Sequence, residues 1–413
     1  MPPATQARRY LWTFVSFTTG AILVVAALNL VADPFRVFGT PRCGGLNDRI
    51  PNTSGFDRMA KPYEIRRLQP QTVILGSSTA HSGFISVSDW NTELPKPIYN
   101  YALLGASFHE VFASLAHALR ECPIKDAIIV TDFFAFNAYY HNNSRFDPER
   151  LLVGQHTGWP HFRGPDLAAF LIGRGTLALS WKTLTESRRD LAIDAASPWG
   201  RAYPWREKFR SMERFYLGMW LPPPEHEYAF ASANGGNDRF ADFDAMLRLA
   251  SEREIRLIIL CPPIHARFQE AIAAAGVWPH YEAWKRGLAV RTRAQQDNEL
   301  GRGIVELWDF SIITEATSEA VPKDGGTPMR YFYDSAHFTP DLGALVLDEI
   351  LNEGAPSARR LGVRLDQVGV EDHLAQVRSS LGEFRTQYPE VVSDVRSGLR
   401  STEITEQSRF QSH

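Results

Sequence analysis

Short apolar runs that alternate with helical patterns constrain the fold of this chain more than any other feature of its sequence. Five runs are apolar enough to be buried strands, at 72–75, 98–101, 127–131, 256–261 and 304–308. Between them, composition and spacing predict helices at 109–120, 240–254, 266–275 and 284–296. Such alternation is typical of a parallel sheet with helices on both faces. The sequence therefore predicts an α/β fold, a three-layer, doubly wound parallel sheet of about five strands.

A run without any charged residue, from Tyr10 to Ala32, follows Arg8 and Arg9 near the start of the chain. It is long enough to cross a hydrocarbon core of about 30 Å, whereas the apolar region of a cleaved signal peptide is normally about 7–15 residues. We therefore expect a single-pass anchor at 10–32 in the cytoplasmic (inner) membrane, with a cleaved signal peptide as the alternative. Residues 1–9 would form a cytoplasmic tail and the folded part would lie in the periplasm or outside, because large domains that follow a first anchor translocate with little regard to charge.

The rest of the chain is long enough for one large domain with additions. A Pro/Gly-rich stretch predicts a connector at 33–70, followed by the main α/β domain at 71–353. Within this domain, 138–237 is predicted to be a long, mostly helical insertion. Its aromatic and basic residues suit either a small subdomain with its own core or a lid and sugar-binding platform: Trp159, Trp181, Trp199, Trp205, Trp220, Arg201, Arg206 and Arg210.

The segment 354–413 is predicted to be a helical, partly disordered tail. Apolar residues recur there at steps of three and four, namely Leu374, Val377, Leu381, Phe384, Tyr388, Val391 and Val395. Because Pro389 interrupts a continuous helix, one or two helices packed back on the domain are expected. Self-association or docking to a membrane partner is the alternative.

Charge and cysteine content exclude several functional classes. A net charge of -3 and a pI near 6.5 do not fit the basic face that a nucleic-acid partner requires. Cys43, Cys122 and Cys261 do not form the even, closely spaced set of a disulfide framework. The histidines include no His-Glu-x-x-His pattern and no tight group with the cysteines. We therefore expect no metal site and no cofactor.

Two short segments carry the chemistry of a serine acyl-transfer enzyme. Gly76-Ser77-Ser78-Thr79 follows the first predicted strand, and Asp334-Ser335-Ala336-His337 precedes a helix predicted at 341–352. A serine hydroxyl needs a neutral His to take its proton and a carboxylate to hold that His. The structural alternatives are that the hydroxyl residues cap a helix, that His337 is a core histidine and that Asp334 forms a turn.

Two further candidate positions follow predicted strands. Gly105 lies past the second predicted strand and Asn137 past the third. Since functional groups of parallel sheets gather at the carboxyl ends of the strands, these residues are expected near Ser78, Asp334 and His337.

In these residues the chain resembles the SGNH or GDSL hydrolase superfamily, over roughly residues 71–351. The resemblance implies an SGNH-like fold, with Ser78 as the nucleophile and Asp334 and His337 as the other triad members. It also implies an oxyanion site built from the backbone N–H groups of Ser78 and Gly105. The third block of that family, Gly-x-Asn-Asp, is absent, and Asn137 is the nearest candidate for the remaining donor.

The arrangement of this chain, one N-terminal anchor followed by such a domain, is similar to that of the acyltransferases of bacterial envelope polymers. These include alginate O-acetylation proteins and the D-alanyl transfer protein of teichoic acid synthesis. That resemblance implies transfer of an O-acetyl or similar acyl group to a cell-surface glycan. It also implies a multi-span partner, a membrane-bound O-acyltransferase that supplies the acyl group. An envelope esterase or lipase, and a catalytically silent polysaccharide-assembly subunit, are the alternatives.

Overall fold

The computed structural model describes residues 3–49, 53, 55–152, 162–186, 204–298, 304–323, 328–353 and 360–410. The chain divides into two compact units. Unit 1 comprises 1–68 and 147–195, and unit 2 comprises 69–146 and 196–413. The predicted insertion at 138–237 is therefore shared between the units.

Unit 2 is built on a six-stranded sheet in the order β2-β1-β3-β4-β5-β6. The first five strands are parallel, and β6 is antiparallel to β5. The strands are β1 Thr72–Leu75, β2 Ile98–Asn100, β3 Asp126–Val130, β4 Arg256–Cys261, β5 Ile304–Asp309 and β6 Val363–Arg364. The five predicted strands are confirmed to within one residue at each end, and the prediction of a purely parallel sheet is wrong at β6. The strand order reverses at β1, which places the topological switch point between β1 and β3.

The chain forms helices before, between and after these strands. They are α1 Pro3–Ala32, α2 Asp57–Leu68, α3 Ser78–Gly83, α4 Phe108–Glu121, α5 Pro148–Leu151, α6 Gly164–Ile172, α7 Arg174–Glu186, α8 Trp205–Trp220, α9 Arg239–Glu252, α10 Ala266–Ala274, α11 Trp278–Asn298, α12 Pro340–Leu351, α13 Val370–Gln387 and α14 Pro389–Phe410. The predicted helices correspond to α4, α9, α10, α11 and α12. Two short 3-10 turns lie at Val87–Asp89 and Phe133–Phe136.

Both faces of the central strands are buried, as their uninterrupted apolar sequence requires. Ile74, Ile128 and Ile258 form one cluster with side chains of α12, including Leu342 and Val346. Alternate residues such as Val73 and Ile129 are equally inaccessible to solvent. Helix α4 contacts β1 and helix α11 contacts β5. The sheet is thus packed between helices.

Helix α1 is the part of unit 1 that could cross a membrane. The segment Gln6–Ala32 is long and apolar enough to do so. Large apolar side chains on it are exposed, among them Trp12, Phe14 and Phe17. A soluble protein rarely exposes such a surface, which fits the predicted anchor. A helix of this kind near the N-terminus also fits the signal-peptide alternative.

The predicted connector contains ordered structure of its own. Helix α2 lies within it, and Phe35 and Tyr63 pack with Phe170 of α6 in an apolar cluster. The carboxylate of Asp33 accepts hydrogen bonds from the backbone N–H groups of the four consecutive residues 37–40. These bonds fix the turn after α1.

The C-terminal helices pack on the rest of unit 2. Leu381 and Phe384 of α13 and Val392 of α14 share a cluster with Ala266 of α10. Pro389 begins α14 and so separates the two helices. This is the packed-back arrangement, the first of the two expected for the tail.

Candidate active site

The three side chains predicted to form a triad meet in unit 2. The Nε2 atom of His337 lies 2.8 Å from the hydroxyl oxygen of Ser78. The Nδ1 atom of the same ring lies 2.9 Å from each carboxylate oxygen of Asp334. With Nδ1 donating its proton to the carboxylate, Nε2 is left to accept the proton of the serine. The result is a continuous chain from hydroxyl to imidazole to carboxylate.

A tight turn between β1 and α3 presents Ser78. Gly76 in this turn has a positive φ of 151°, and a Cβ there would approach the carbonyl oxygen of Val130 to 2.8 Å. Only glycine therefore fits at this position without displacing β3. The hydroxyl of Ser77 caps α3 by accepting from the N–H of Thr79. Helix capping, the structural alternative for this segment, applies to Ser77, while Ser78 faces His337.

The loop before α12 holds the other two groups. One oxygen of Asp334 accepts hydrogen bonds from the backbone N–H groups of Ala336 and His337, both at 2.9 Å. The N–H of Tyr333 donates to the carbonyl of His337 at 2.9 Å. The loop is thereby closed around the carboxylate, and Asp334 both forms a turn and orients the imidazole.

The electrostatics of the pair favour an ionised carboxylate beside the ring. Burial alone lowers the pKa of His337, but the Asp334 carboxylate outweighs burial and raises that pKa above its ordinary value. For Asp334, burial raises the pKa, and the charge and hydrogen bonds of His337 lower it below the ordinary carboxyl value. Asp334 thus stabilises the imidazolium that forms when His337 takes a proton.

Asp132 is a site residue that sequence reasoning missed. It lies two residues after β3, at the switch point of the sheet, and its carboxylate accepts from the hydroxyls of Ser77 and Thr79, both at 2.7 Å. These two residues flank Ser78, so one buried carboxylate holds both sides of the serine. Burial raises the pKa of Asp132, and the two hydroxyl donors lower it by less. An acidic residue directly after the predicted strand at 127–131 was the available signal.

Helix α8 supplies a second set of residues that were not predicted as site residues. The ring of Tyr216 lies 6.3 Å from the ring of His337 and is almost fully buried. Burial holds the pKa of Tyr216 well above its ordinary value, so the phenol stays neutral. Lys208 on the same helix interacts with Asp334, and burial lowers the pKa of its ammonium.

Two aromatic rings lie near the ammonium of Lys208, beside the triad. Its Nζ atom lies 5.3 Å from the ring centroid of Trp205 and 5.9 Å from that of Tyr333. Both rings are half-buried and retain exposed surface. Of the other insertion residues singled out above, Trp220 is buried, Arg206 and Arg210 bind Asp394, and Trp181 is exposed. Trp159, Trp199 and Arg201 lie outside the described residues.

Two of the predicted oxyanion donors lie on neighbouring segments. Ser78 is the first residue of α3, where a backbone N–H has no partner within the helix. Gly105 follows β2 with a φ of 58°, and its carbonyl accepts from the hydroxyl of Tyr140. The N–H of Leu103 donates to the carbonyl of Gly76 at 2.9 Å, which joins the two segments.

The prediction that Asn137 supplies an oxyanion donor does not fit the structure. Its amide nitrogen donates to the carbonyls of Trp220 and Glu227, both at 2.9 Å, which uses both amide hydrogens. Its side-chain oxygen accepts from the N–H groups of Tyr139 and Ala229. Asn137 is fully buried and ties the chain after β3 to the segment after α8.

Among the residues that the structure describes, no three His, Cys, Asp or Glu side chains are grouped so that they could hold a metal ion. In comparisons with known proteins, no family model matches the chain and no curated protein matches it.

Proposed function

We propose that this chain is a membrane-anchored serine acyltransferase that acts outside the cytoplasm on a cell-envelope glycan or exopolysaccharide. The observation that carries the proposal is the hydrogen-bonded chain of Ser78, His337 and Asp334. These groups come from two segments 259 positions apart and meet at the carboxyl end of a parallel sheet, where functional groups of such folds gather.

The proposed reaction has two steps. His337 takes the proton of Ser78 while the serine oxygen attacks the carbonyl carbon of an acyl donor. The bond to the donor breaks, His337 returns the proton to the leaving group, and an acyl-serine remains. A sugar hydroxyl then gives its proton to His337 while its oxygen attacks the acyl carbon. The bond between that carbon and the Ser78 oxygen breaks, and His337 returns the proton to Ser78. Asp334 stabilises the imidazolium in both steps.

The developing oxyanion is assigned to the backbone N–H groups of Ser78 and Gly105. Their segments are joined by the hydrogen bond between Leu103 and Gly76. Loss of one such donor typically costs about 10²–10³ in rate.

A sugar acceptor is supported by the aromatic surfaces beside the triad. Trp205 and Tyr333 flank Lys208, next to Asp334. Aromatic faces stack on the apolar faces of sugars, and a half-buried ammonium suits a hydroxyl or carboxylate substituent. The ring of Tyr216 in α8 lies 6.3 Å from that of His337, and the proposal gives Tyr216 a part in limiting the access of water.

The architecture agrees with an SGNH-like fold. The nucleophile follows β1, the Asp-x-x-His segment precedes α12, and five parallel strands lie in the order 2-1-3-4-5. Among the described residues, only α1 is long and apolar enough to span a membrane, so the proposal assigns delivery of the acyl group to another protein. A multi-span O-acyltransferase in the membrane is the proposed donor.

Labelling with a fluorophosphonate probe tests whether the site is active. We expect the wild type to be labelled and Ser78→Ala to lose the label. Ser82→Ala, a change in the same helix, should keep it. Equal labelling of Ser78→Ala, or no labelling of the wild type, would favour the catalytically silent subunit.

Partition of the acyl group separates a transferase from an esterase. With an activated acyl ester as donor and an oligosaccharide at millimolar concentration, we expect acylated sugar to exceed the acid released to water. Hydrolysis that equals or exceeds transfer would favour the esterase.

A further inference from the structure

Helices α6 and α7 of unit 1 pack beside the last turns of α1. Both contact α1, and the side chain of Asn29 donates to the carbonyl of Leu171 at 2.8 Å. Asn29 precedes Ala32, the end of the apolar helix, by three residues, which is about 4.5 Å along the helix axis. The turn between α6 and α7 therefore lies at the level where a span of this length meets the polar head groups of a bilayer.

The inner face of the α6–α7 pair is occupied by the core of unit 1. Phe170 and Leu179 pack into the cluster formed with Phe35 and Tyr63. Asp166 of α6 is buried and accepts from Arg150 and from the hydroxyl of Tyr63. These contacts fix the orientation of the pair, so its outer face cannot turn inward.

The outer face is apolar and is bordered by basic side chains. Ile172, Leu177 and Trp181 are 46%, 37% and 66% exposed. In α7 the exposed positions are 174, 175, 177, 178, 181 and 182, which share one side of the helix. Arg174 and Lys182 lie at its two ends. Trp with aliphatic residues, bordered by Arg and Lys, is the composition of helices that lie in a membrane interface.

We propose that α6 and α7 lie in the membrane interface beside α1, with Leu177 and Trp181 against lipid acyl chains and with Arg174 and Lys182 at the level of the phosphates. A lipid surface is favoured over a protein partner for two reasons. Leu30 and Val31, at the same level of α1, are also exposed. In addition, the segment 33–68 beside them carries seven basic and four acidic residues, which suits anionic head groups.

The consequence is an anchor of three helices instead of one. A single span leaves a domain free to tilt, whereas two further helices embedded at its end fix the orientation of unit 1 on the bilayer. The inference rests on α1 as a span and is independent of the chemistry at Ser78.

Spin-label accessibility in the full chain tests the proposal. Leu177→Cys and Trp181→Cys would be made one at a time in a Cys43→Ser background, because Cys122 and Cys261 are buried. Each protein would be labelled with a nitroxide and placed in nanodiscs of phosphatidylcholine and phosphatidylglycerol. Collision rates with oxygen, which concentrates in lipid, and with a water-soluble nickel chelate are then compared.

We expect an oxygen-to-nickel ratio at 177 and 181 several-fold above that at Val290→Cys, an exposed apolar position in α11 of unit 2, and below that at Leu23→Cys within the span. A ratio at 177 and 181 equal to that at 290 would overturn the proposal. So would labels at 177 and 181 that neither reagent reaches, since that result indicates burial against another protein chain. Free access of nickel at position 23 would remove the span on which the proposal rests.

Discussion

Asp334 determines how strongly His337 holds a proton, and this makes the triad accessible to a pH experiment. His337 acts as a base only when it is neutral, and the carboxylate raises its pKa above the ordinary value of about 6.5. Activity of the wild type should therefore rise with pH, with a midpoint above that value. Below the midpoint, the imidazole already carries the proton that it must accept from Ser78.

Asp334→Asn removes the group that raises this pKa. We expect the acid limb of kcat/KM for hydrolysis of p-nitrophenyl acetate to move to lower pH, and kcat to fall by about 10⁴-fold, as in other serine triads. Asp341→Asn, which changes an exposed carboxylate in α12, should leave both unchanged. An acid limb that stays in place in Asp334→Asn would show that His337 is not the titrating base.

At the scale of secondary-structure elements, one buried carboxylate joins β5 to α11 and α13. Asp309 accepts from Lys285 and from His373, both at 2.7 Å, and all three side chains are buried. Burial raises the pKa of Asp309, but Lys285 and His373 outweigh burial and hold that pKa far below the ordinary carboxyl value. The stability that this group contributes is present above about pH 4 and is lost as the pH falls toward its folded-state pKa.

Asp309→Asn leaves the ammonium of Lys285 buried without its counter-charge. We expect a loss of roughly 3–5 kcal/mol in the free energy of unfolding, measured as a lower melting temperature at neutral pH. The fall in melting temperature between pH 5 and pH 3 should be smaller in the variant than in the wild type. Asp244→Asn, at a partly exposed ion pair with Arg291, should cost about 0–1 kcal/mol. Equal effects of the two changes would contradict this account of the network.

The central strands and the triad positions could be predicted because local sequence determines them. A parallel strand buried on both faces is an apolar run, and Ser78 and His337 sit in loops next to elements with clear boundaries. Strand β6 has only two residues, too few to show an apolar run or an alternation of apolar and polar residues. It pairs with β5 at the edge of the sheet.

The errors near the site come from partners that are distant in sequence. Asn137 lies seven positions past β3, beyond the 3-10 turn Phe133–Phe136, and its amide nitrogen donates to carbonyls 83 and 90 positions away. Asp132 is part of no recognisable sequence motif, and its role depends on β3 lying next to β1.

Helix α2 of unit 1 was not predicted. It contains Pro62 within a basic segment, so its sequence gives little helical signal. Packing around Tyr63 stabilises it instead.

At the scale of the whole molecule, the proposed topology places everything after α1 outside the cytoplasm. Cys43 provides a direct probe, because it is exposed and follows α1 by eleven positions, whereas Cys122 and Cys261 are buried. We expect a membrane-impermeant maleimide to label the protein in cells whose inner membrane is intact. The label should be absent from Cys43→Ser. Labelling that requires lysis of the inner membrane would reverse the orientation.

The claim on which the function depends is that Ser78 becomes acylated with His337 as its base. The most direct measurement is peptide mapping by mass spectrometry after a brief incubation with p-nitrophenyl acetate and an acid quench. We predict an acetyl group on Ser78 in the wild type and its loss in His337→Ala. No acetyl group on Ser78 in the wild type, or the same amount in both proteins, would contradict the account.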